Sequence, residues 1–166
     1  MGTIKNRCVI VGGGDCSPEL LKSHITENDF VICADSGYDI ASESSISTDL
    51  LIGDFDSIKT VPQDVNTISL PVEKDVTDCV AAYNEGVKLG FESFILFGGT
   101  GGRFEHTFSN ISLMANASVN GHNFEIVDDR HFFRCITNSS VNIMRKVNQQ
   151  VSVFAYGSKA YGVTLS

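Results

Sequence analysis

The sequence predicts an α/β fold, a mostly parallel β-sheet flanked by helices, followed by part of a small antiparallel β-sandwich. Three observations carry that expectation. Short runs rich in Val, Ile and Phe recur along the first 129 residues, and several are separated by segments with helical spacing. After Asp129 the helical spacing stops, and apolar and polar residues alternate instead.

The expected strands are Cys8–Val11, Phe30–Ala34, Leu50–Ile52, Thr67–Leu70, Phe94–Phe97 and Phe124–Val127. These runs read as buried strands, as suits the interior of a parallel sheet. Val76, Val80, Tyr83 and Val87 follow 4-3-4 spacing, and Gly90 is a fitting helix stop. Phe104, Phe108, Ile111 and Ala115 repeat that spacing up to Asn120-Gly121, and this stripe is expected in the core. Pro18 opens a shorter helix with Ser17 as its cap. Together these give a Rossmann-like three-layer domain over residues 1–129. In the remainder, Val141/Ile143, Val151/Val153/Ala155 and Tyr161/Val163/Leu165 read as half-buried antiparallel strands. Residues 130–166 are too few for a complete sandwich, so either the chain is cut short or another subunit completes the layer.

The 166 residues carry a formal charge of −8, which disfavours nucleic acid as a partner. No apolar run approaches the roughly 20 residues of a membrane helix. The charge is uneven. Residues 1–83 hold 14 acidic and 5 basic residues, whereas 84–166 hold 6 and 7. Five cysteines form no CxxC pair, and the N-terminus lacks a secretory pattern, so reduced thiols in the cytoplasm are expected.

Ligands of parallel α/β sheets gather beyond the carboxyl ends of the strands. Four loops there stand out. Gly12-Gly13-Gly14-Asp15 matches neither the dinucleotide fingerprint nor the P-loop; it is either a tight turn or a close approach to phosphate or ribose. Asp35, directly after a strand, either accepts from sugar hydroxyls or caps the next helix. Asp54 and Asp56, in Gly53-Asp54-Phe55-Asp56-Ser57, point the same way in an extended loop. Two carboxylates about 4 Å apart repel by roughly 4 kcal/mol at an effective dielectric near 20, so the pair favours a hard cation such as Mg²⁺. The fourth comes in two pieces. Glu73-Lys74-Asp75-Val76-Thr77-Asp78 opens a helix, where Asp75 and Asp78 also suit cap and first-turn positions. Gly98-Gly99-Thr100-Gly101-Gly102-Arg103 opens another, exposing backbone N–H groups and a guanidinium to an anion. His106 there also suits an ordinary first-turn position. Acidic loops beside a glycine–arginine loop imply phosphoryl chemistry on a nucleotide.

Asp35-Ser36-Gly37, Gly53-Asp54-Phe55-Asp56-Ser57, Lys74-Asp75-Val76-Thr77-Asp78 and Gly99-Thr100-Gly101-Gly102-Arg103-Phe104-Glu105-His106 occur in this order. In order and spacing they resemble thiamin pyrophosphokinase. The resemblance implies transfer of pyrophosphate from ATP to the thiamin hydroxyl, giving thiamin diphosphate and AMP. It also implies a homodimer with an α/β catalytic domain and a β-sandwich domain, thiamin lying at the subunit junction. By the same resemblance Asp54, Asp56 and Asp78 are the Mg²⁺ ligands, while Asp75 and Thr77 support the phosphates. Asp35 and the Gly98–Arg103 loop hold ATP, and Ser36, Gly37, Ser57, Lys74 and His106 join that nucleotide set. Arg103 stabilises the transferring group, and Asp56 or Asp78 accepts the hydroxyl proton. The chain departs from the family at Ser36, Tyr38 and Asp39, where Gly, Ala and Asn are usual, and at Glu73 and Glu105, where Asp is usual.

Two rival readings follow from the same residues. Asp54-Phe55-Asp56 with Asp128-Asp129 mimics the acidic motifs of haloacid-dehalogenase-type phosphatases, which would make Asp54 a nucleophile. Alternatively, the chain binds nucleotide or thiamin without turnover.

Overall fold

Seven strands form one sheet in the order β4-β3-β2-β1-β5-β6-β7. The computed structural model describes residues 5–71, 73, 75–144 and 149–164. The strands are β1 (Arg7–Val11), β2 (Asp29–Ala34), β3 (Leu50–Gly53), β4 (Asn66–Ser69), β5 (Ser93–Phe97), β6 (Asn123–Val127) and β7 (Phe132–Arg134). The helices are α1 (Pro18–His24), α2 (Gly37–Glu43), α3 (Asp78–Lys88) and α4 (Phe104–Val119). Every neighbouring pair is parallel except β6–β7. The expected mostly parallel α/β sheet is therefore what forms, and all six expected strands of the first 129 residues are present, although β4 is a largely exposed edge strand rather than a buried one.

Alternation along each strand divides the core. Cys8, Ile10, Ile32, Ile52, Phe94 and Leu96 face α3 and α4. Val9, Val11, Val31, Cys33, Leu51 and Phe97 face the other way, with Leu21 of α1 and Ala41 of α2. Burial on both sides explains the unbroken apolar runs. It also pushes the thiols of Cys8, Cys33 and Cys79 up to about 12, so they pack as small hydrophobes. The Tyr83 ring of α3 meets Phe94 at a tilt and Phe124 edge-on, with centroids 4.9 and 5.7 Å away. Its hydroxyl lies 2.7 Å from Nδ1 of His122, which gives the buried phenol a polar partner.

Asp29, at the entrance to β2, is buried and held by Arg7 Nε and Nη2 at 2.8 and 2.9 Å and by Thr26 N at 2.7 Å. Burial alone would raise its carboxyl; the bonds from Arg7 and Thr26 outweigh this and hold it below the usual range. A depressed folded value means stability that is present above the unfolded carboxylate value near 3.9 and lost as pH falls through the folded one. We expect Asp29→Asn to cost about 2 kcal/mol at pH 7. Urea unfolding should show the gap between variant and wild type closing below about pH 4.

Two expectations fail. Phe104 and Phe108 are not core: they are 78% and 55% exposed, while α4 buries Asn110, Leu113, Met114 and Ala117 instead. Of the 4-3-4 stripe, Ile111 packs against the core, whereas Phe104 and Phe108 do not. After β7, which pairs antiparallel with β6, no described residue from 135 to 164 forms a strand. Val151 and Val153, 57% and 59% exposed, have no covering layer, and an alternating segment needs one to settle as a strand. Leu165 of the expected last strand lies outside the described residues. The tail touches α4 through Tyr156–Ser112 (2.9 Å) and Thr137–Ser118 (3.0 Å) hydroxyl pairs.

Candidate active site

The sheet order changes direction between β1 and β5: the chain fills positions from β1 outward to β4, then returns through α3 to start β5 on the other side of β1. A crevice opens beyond the carboxyl ends of two strands that diverge in this way. The turn after β1 and the loop after β5 meet there. Gly12 N donates to Phe97 O (2.8 Å), Gly14 N to Gly98 O (2.9 Å) and Asp15 N to Thr100 O (3.0 Å). A Cβ on Gly14 would lie 2.3 Å from Thr100 O. The glycines after β1 thus serve a loop-to-loop contact with the segment that follows β5.

The acidic loops come together on the neighbouring strands. Register pairs Ala34 with Ile52, so Asp35 and Gly53 leave the sheet side by side, and Asp35 N donates to Ile52 O at 2.8 Å. Ligand oxygens of Asp35, Asp54 and Asp56 all lie within 4.8 Å of one another. Asp54 Oδ1 accepts from the Asp56 amide at 3.2 Å. The Asp54 carboxyl beside it, by hydrogen bond and by charge, raises Asp56 above the usual carboxylate value. Asp35 Oδ2 accepts from Ser57 Oγ, whereas its buried Oδ1 has no hydrogen-bond partner among the described residues. Asp35 and Phe55 hold φ of 48° and 65°, left-handed backbone that non-glycine residues seldom adopt. Three carboxylates with an orphaned buried oxygen fit a divalent cation bound by hard oxygens, so the donor set suits Mg²⁺.

Asp35 therefore does not cap α2. Ser36 occupies the N-cap, and its Oγ fills the space that a Cβ on Gly13 would need. Gly37 packs its α-carbon against Val11 O, where a Cβ would sit at 1.9 Å. On α3 the cap is Thr77, which accepts from Val80 N at 3.4 Å; Asp78 lies in the first turn and Asp75 before the helix. A Cβ on Gly12 would meet Cys79 Sγ at 3.1 Å, so this helix N-terminus abuts the β1 turn. Asp78 is not part of the three-carboxylate group, although it stands at the same end of the sheet. Lys74 lies outside the described residues. After β5, buried Asn110 Nδ2 donates to Gly99 O (2.8 Å), and Gly101 and Gly102 take φ of 78° and 60°. Arg103 caps α4 and donates from Nε to Glu105 Oε1 at 2.6 Å, and His106 follows in the first turn, exposed.

Within the described residues, the carboxylate group and the glycine–arginine loop stand at one end of one sheet, on either side of β1. The family model described as thiamin pyrophosphokinase, catalytic domain, matches residues 21–127. The chain belongs to the thiamin pyrophosphokinase family. Solved thiamin pyrophosphokinases share its fold. The Bacillus subtilis structure is 24% identical, with a TM-score of 0.69 over 78% of this chain and 63% of that one. The Geobacillus thermodenitrificans structure is 30% identical, with a TM-score of 0.62 over 74% and 59%. The Candida albicans structure is 14% identical, with a TM-score of 0.55 over 76% and 59%. The chain thus spans about three-fifths of the length of these structures. A search of curated proteins finds no match.

The phosphatase alternative needs Asp54 and Asp128 or Asp129 on one metal. They follow β3 and β6, four strand spacings apart, or about 19 Å. Asp129 instead accepts from Ser17 N at 3.1 Å and from its hydroxyl. Sequence reasoning gave Asp35 to the nucleotide rather than to the cation; only the β2–β3 register reveals its place beside Asp54. We expect Asp35→Asn to weaken Mg²⁺ binding by about ten- to a hundredfold, read by calorimetric titration of the metal.

Proposed function

We propose that the chain is the catalytic part of an enzyme that transfers pyrophosphate from ATP to the hydroxyl of thiamin, yielding thiamin diphosphate and AMP. The observation that carries this is the Asp35–Asp54–Asp56 group standing across β1 from the Gly98–Arg103 loop. Family membership supports the substrate pair. Asp35, Asp54 and Asp56 would hold Mg²⁺, with Asp78 nearby as a further acidic group. When bound, the cation neutralises charge on the triphosphate and on the transferring group.

The chain's own groups do the rest by position. The α4 N-terminus and the Gly98–Gly102 amides form an anion-binding end for phosphate oxygens. Arg103, exposed and paired across a two-residue step to Glu105, can swing its planar fork onto phosphate. Thr77 and Asp75 lie where the second phosphate-facing helix begins, with Ser36, Gly37 and Ser57 beside the carboxylates. The thiamin hydroxyl attacks the β-phosphorus, the bond to the α-phosphate oxygen breaks, and AMP leaves. Asp56 or Asp78 takes the hydroxyl proton. Because β7 belongs to the catalytic sheet, the residues after Arg134, rather than those from 130, would begin a second, β-sandwich unit that presents thiamin within a homodimer. Five free cysteines suit a cytoplasmic setting, and no helix among the described residues is long and apolar enough to cross a membrane.

The test is AMP release from ATP by the full-length protein. It should require both thiamin and Mg²⁺. Protein that binds both substrates yet makes no AMP, or that traps phosphate covalently on Asp54, would sink the reading.

A further inference from the structure

Asp128, at the carboxyl end of β6, is a carboxylate that neither the metal group nor the reaction uses. Its Oδ1 accepts from the Arg130 and His131 amides at 2.8 and 2.7 Å and lies 3.1 Å from His131 Nδ1. Its Oδ2 accepts from Thr100 Oγ1 at 2.8 Å. Burial would raise this carboxyl, but the bonds from Arg130, Thr100 and His131 hold it below the usual range. A carboxylate so fully engaged is a fixed acceptor rather than a metal ligand or a base.

Thr100 is where three loops meet. Its hydroxyl donates to the β6 loop, and its carbonyl accepts from Asp15 of the β1 loop. Just upstream, Gly98 and Gly99 are held by Gly14 and Asn110. Downstream come Gly101 and Gly102, two left-handed residues with wide backbone freedom, and then Arg103. Gly101 packs against the Asp15 side chain, so the Thr100 hydroxyl and this contact hold the segment that leads into Arg103.

We propose that Asp128 is a positioning residue of the phosphate loop, acting through the Thr100 hydroxyl to fix the segment that ends in Arg103. The inference rests on the kinase reading only for the identity of the ligand. Hydrogen exchange and MgATP titration of the full chain test it together. Thr100→Val, which keeps the shape but removes the donor, and Asp128→Ala should each speed amide exchange over residues 98–103. Each should weaken MgATP binding by about tenfold, and the double variant by no more than about tenfold, because the bond they share, Thr100 to Asp128, is lost in both. Thr100→Ser should restore both readouts to wild-type values. Unchanged exchange in Thr100→Val, or a double variant about a hundredfold weaker, would overturn the latch. Faster exchange in the variants beside a wild type that binds no MgATP would uphold the latch and overturn the kinase reading.

Discussion

Asp54→Asn removes thiamin-dependent AMP formation, lowering turnover at saturating substrates by at least about a hundredfold, and leaves the fold intact. The reason lies in the charge count of the loop after β3. Asp54 is the middle member of three carboxylates whose oxygens approach within 4.8 Å, and it orders Asp56 through that residue's amide. The amide side chain keeps the size and can still accept that N–H, but it no longer offers an anionic oxygen to a cation. The same change relieves repulsion among like charges. In the absence of Mg²⁺ the variant should therefore melt at or above the wild-type Tm. Steady-state AMP assays with a thermal melt in EDTA check both halves. Near-normal turnover would remove Asp54 from the metal group.

Gly98→Ala unfolds or severely weakens the chain, by about 3 kcal/mol or more at equilibrium. Gly98 holds φ at 62°, and a Cβ there would stand 2.2 Å from Gly12 O and 3.2 Å from Gly14 O. Neither oxygen is on a flexible side chain; both belong to the turn that β1 needs. Relief would require separating the two loops and losing the Gly14-to-Gly98 hydrogen bond. Urea unfolding gives the size of the loss. Where enough folded protein survives at low temperature, MgATP affinity should fall as well, since the phosphate loop is displaced.

Which parts of this molecule could be read from the chain alone follows from the range of each interaction. β1, β2, β3, β5 and β6 are legible because each is a compact apolar run that the sheet buries on both faces. Ser17-Pro18 and Gly90 mark helix ends through local backbone chemistry, and the structure keeps them there. Phe104 and Phe108 are misread because spacing reports that a stripe is apolar and says nothing about what lies opposite. Segments 141–144 and 149–164 fail similarly: alternation needs a second layer. In the site, Asp54 and Asp56 are two residues apart and legible as a pair. Asp35 joins them only through strand register, a contact across 19 positions of sequence. Asp128 is legible as an acid after a strand, but its partner Thr100 is 28 residues away.

The left-handed backbone at Asp35 and Phe55 has a thermodynamic consequence. Each such residue holds about 1–3 kcal/mol of strain, and the strain persists because the surrounding sheet over-determines the loop. The work of gathering three like charges is thus done when the chain folds, not when the cation arrives. Binding then orders little further, and the arriving cation relieves the repulsion among the carboxylates already gathered there. Occupancy of this site should accordingly register as heat resistance: the melting temperature should climb with Mg²⁺ and nucleotide concentration, even when no thiamin is present to react.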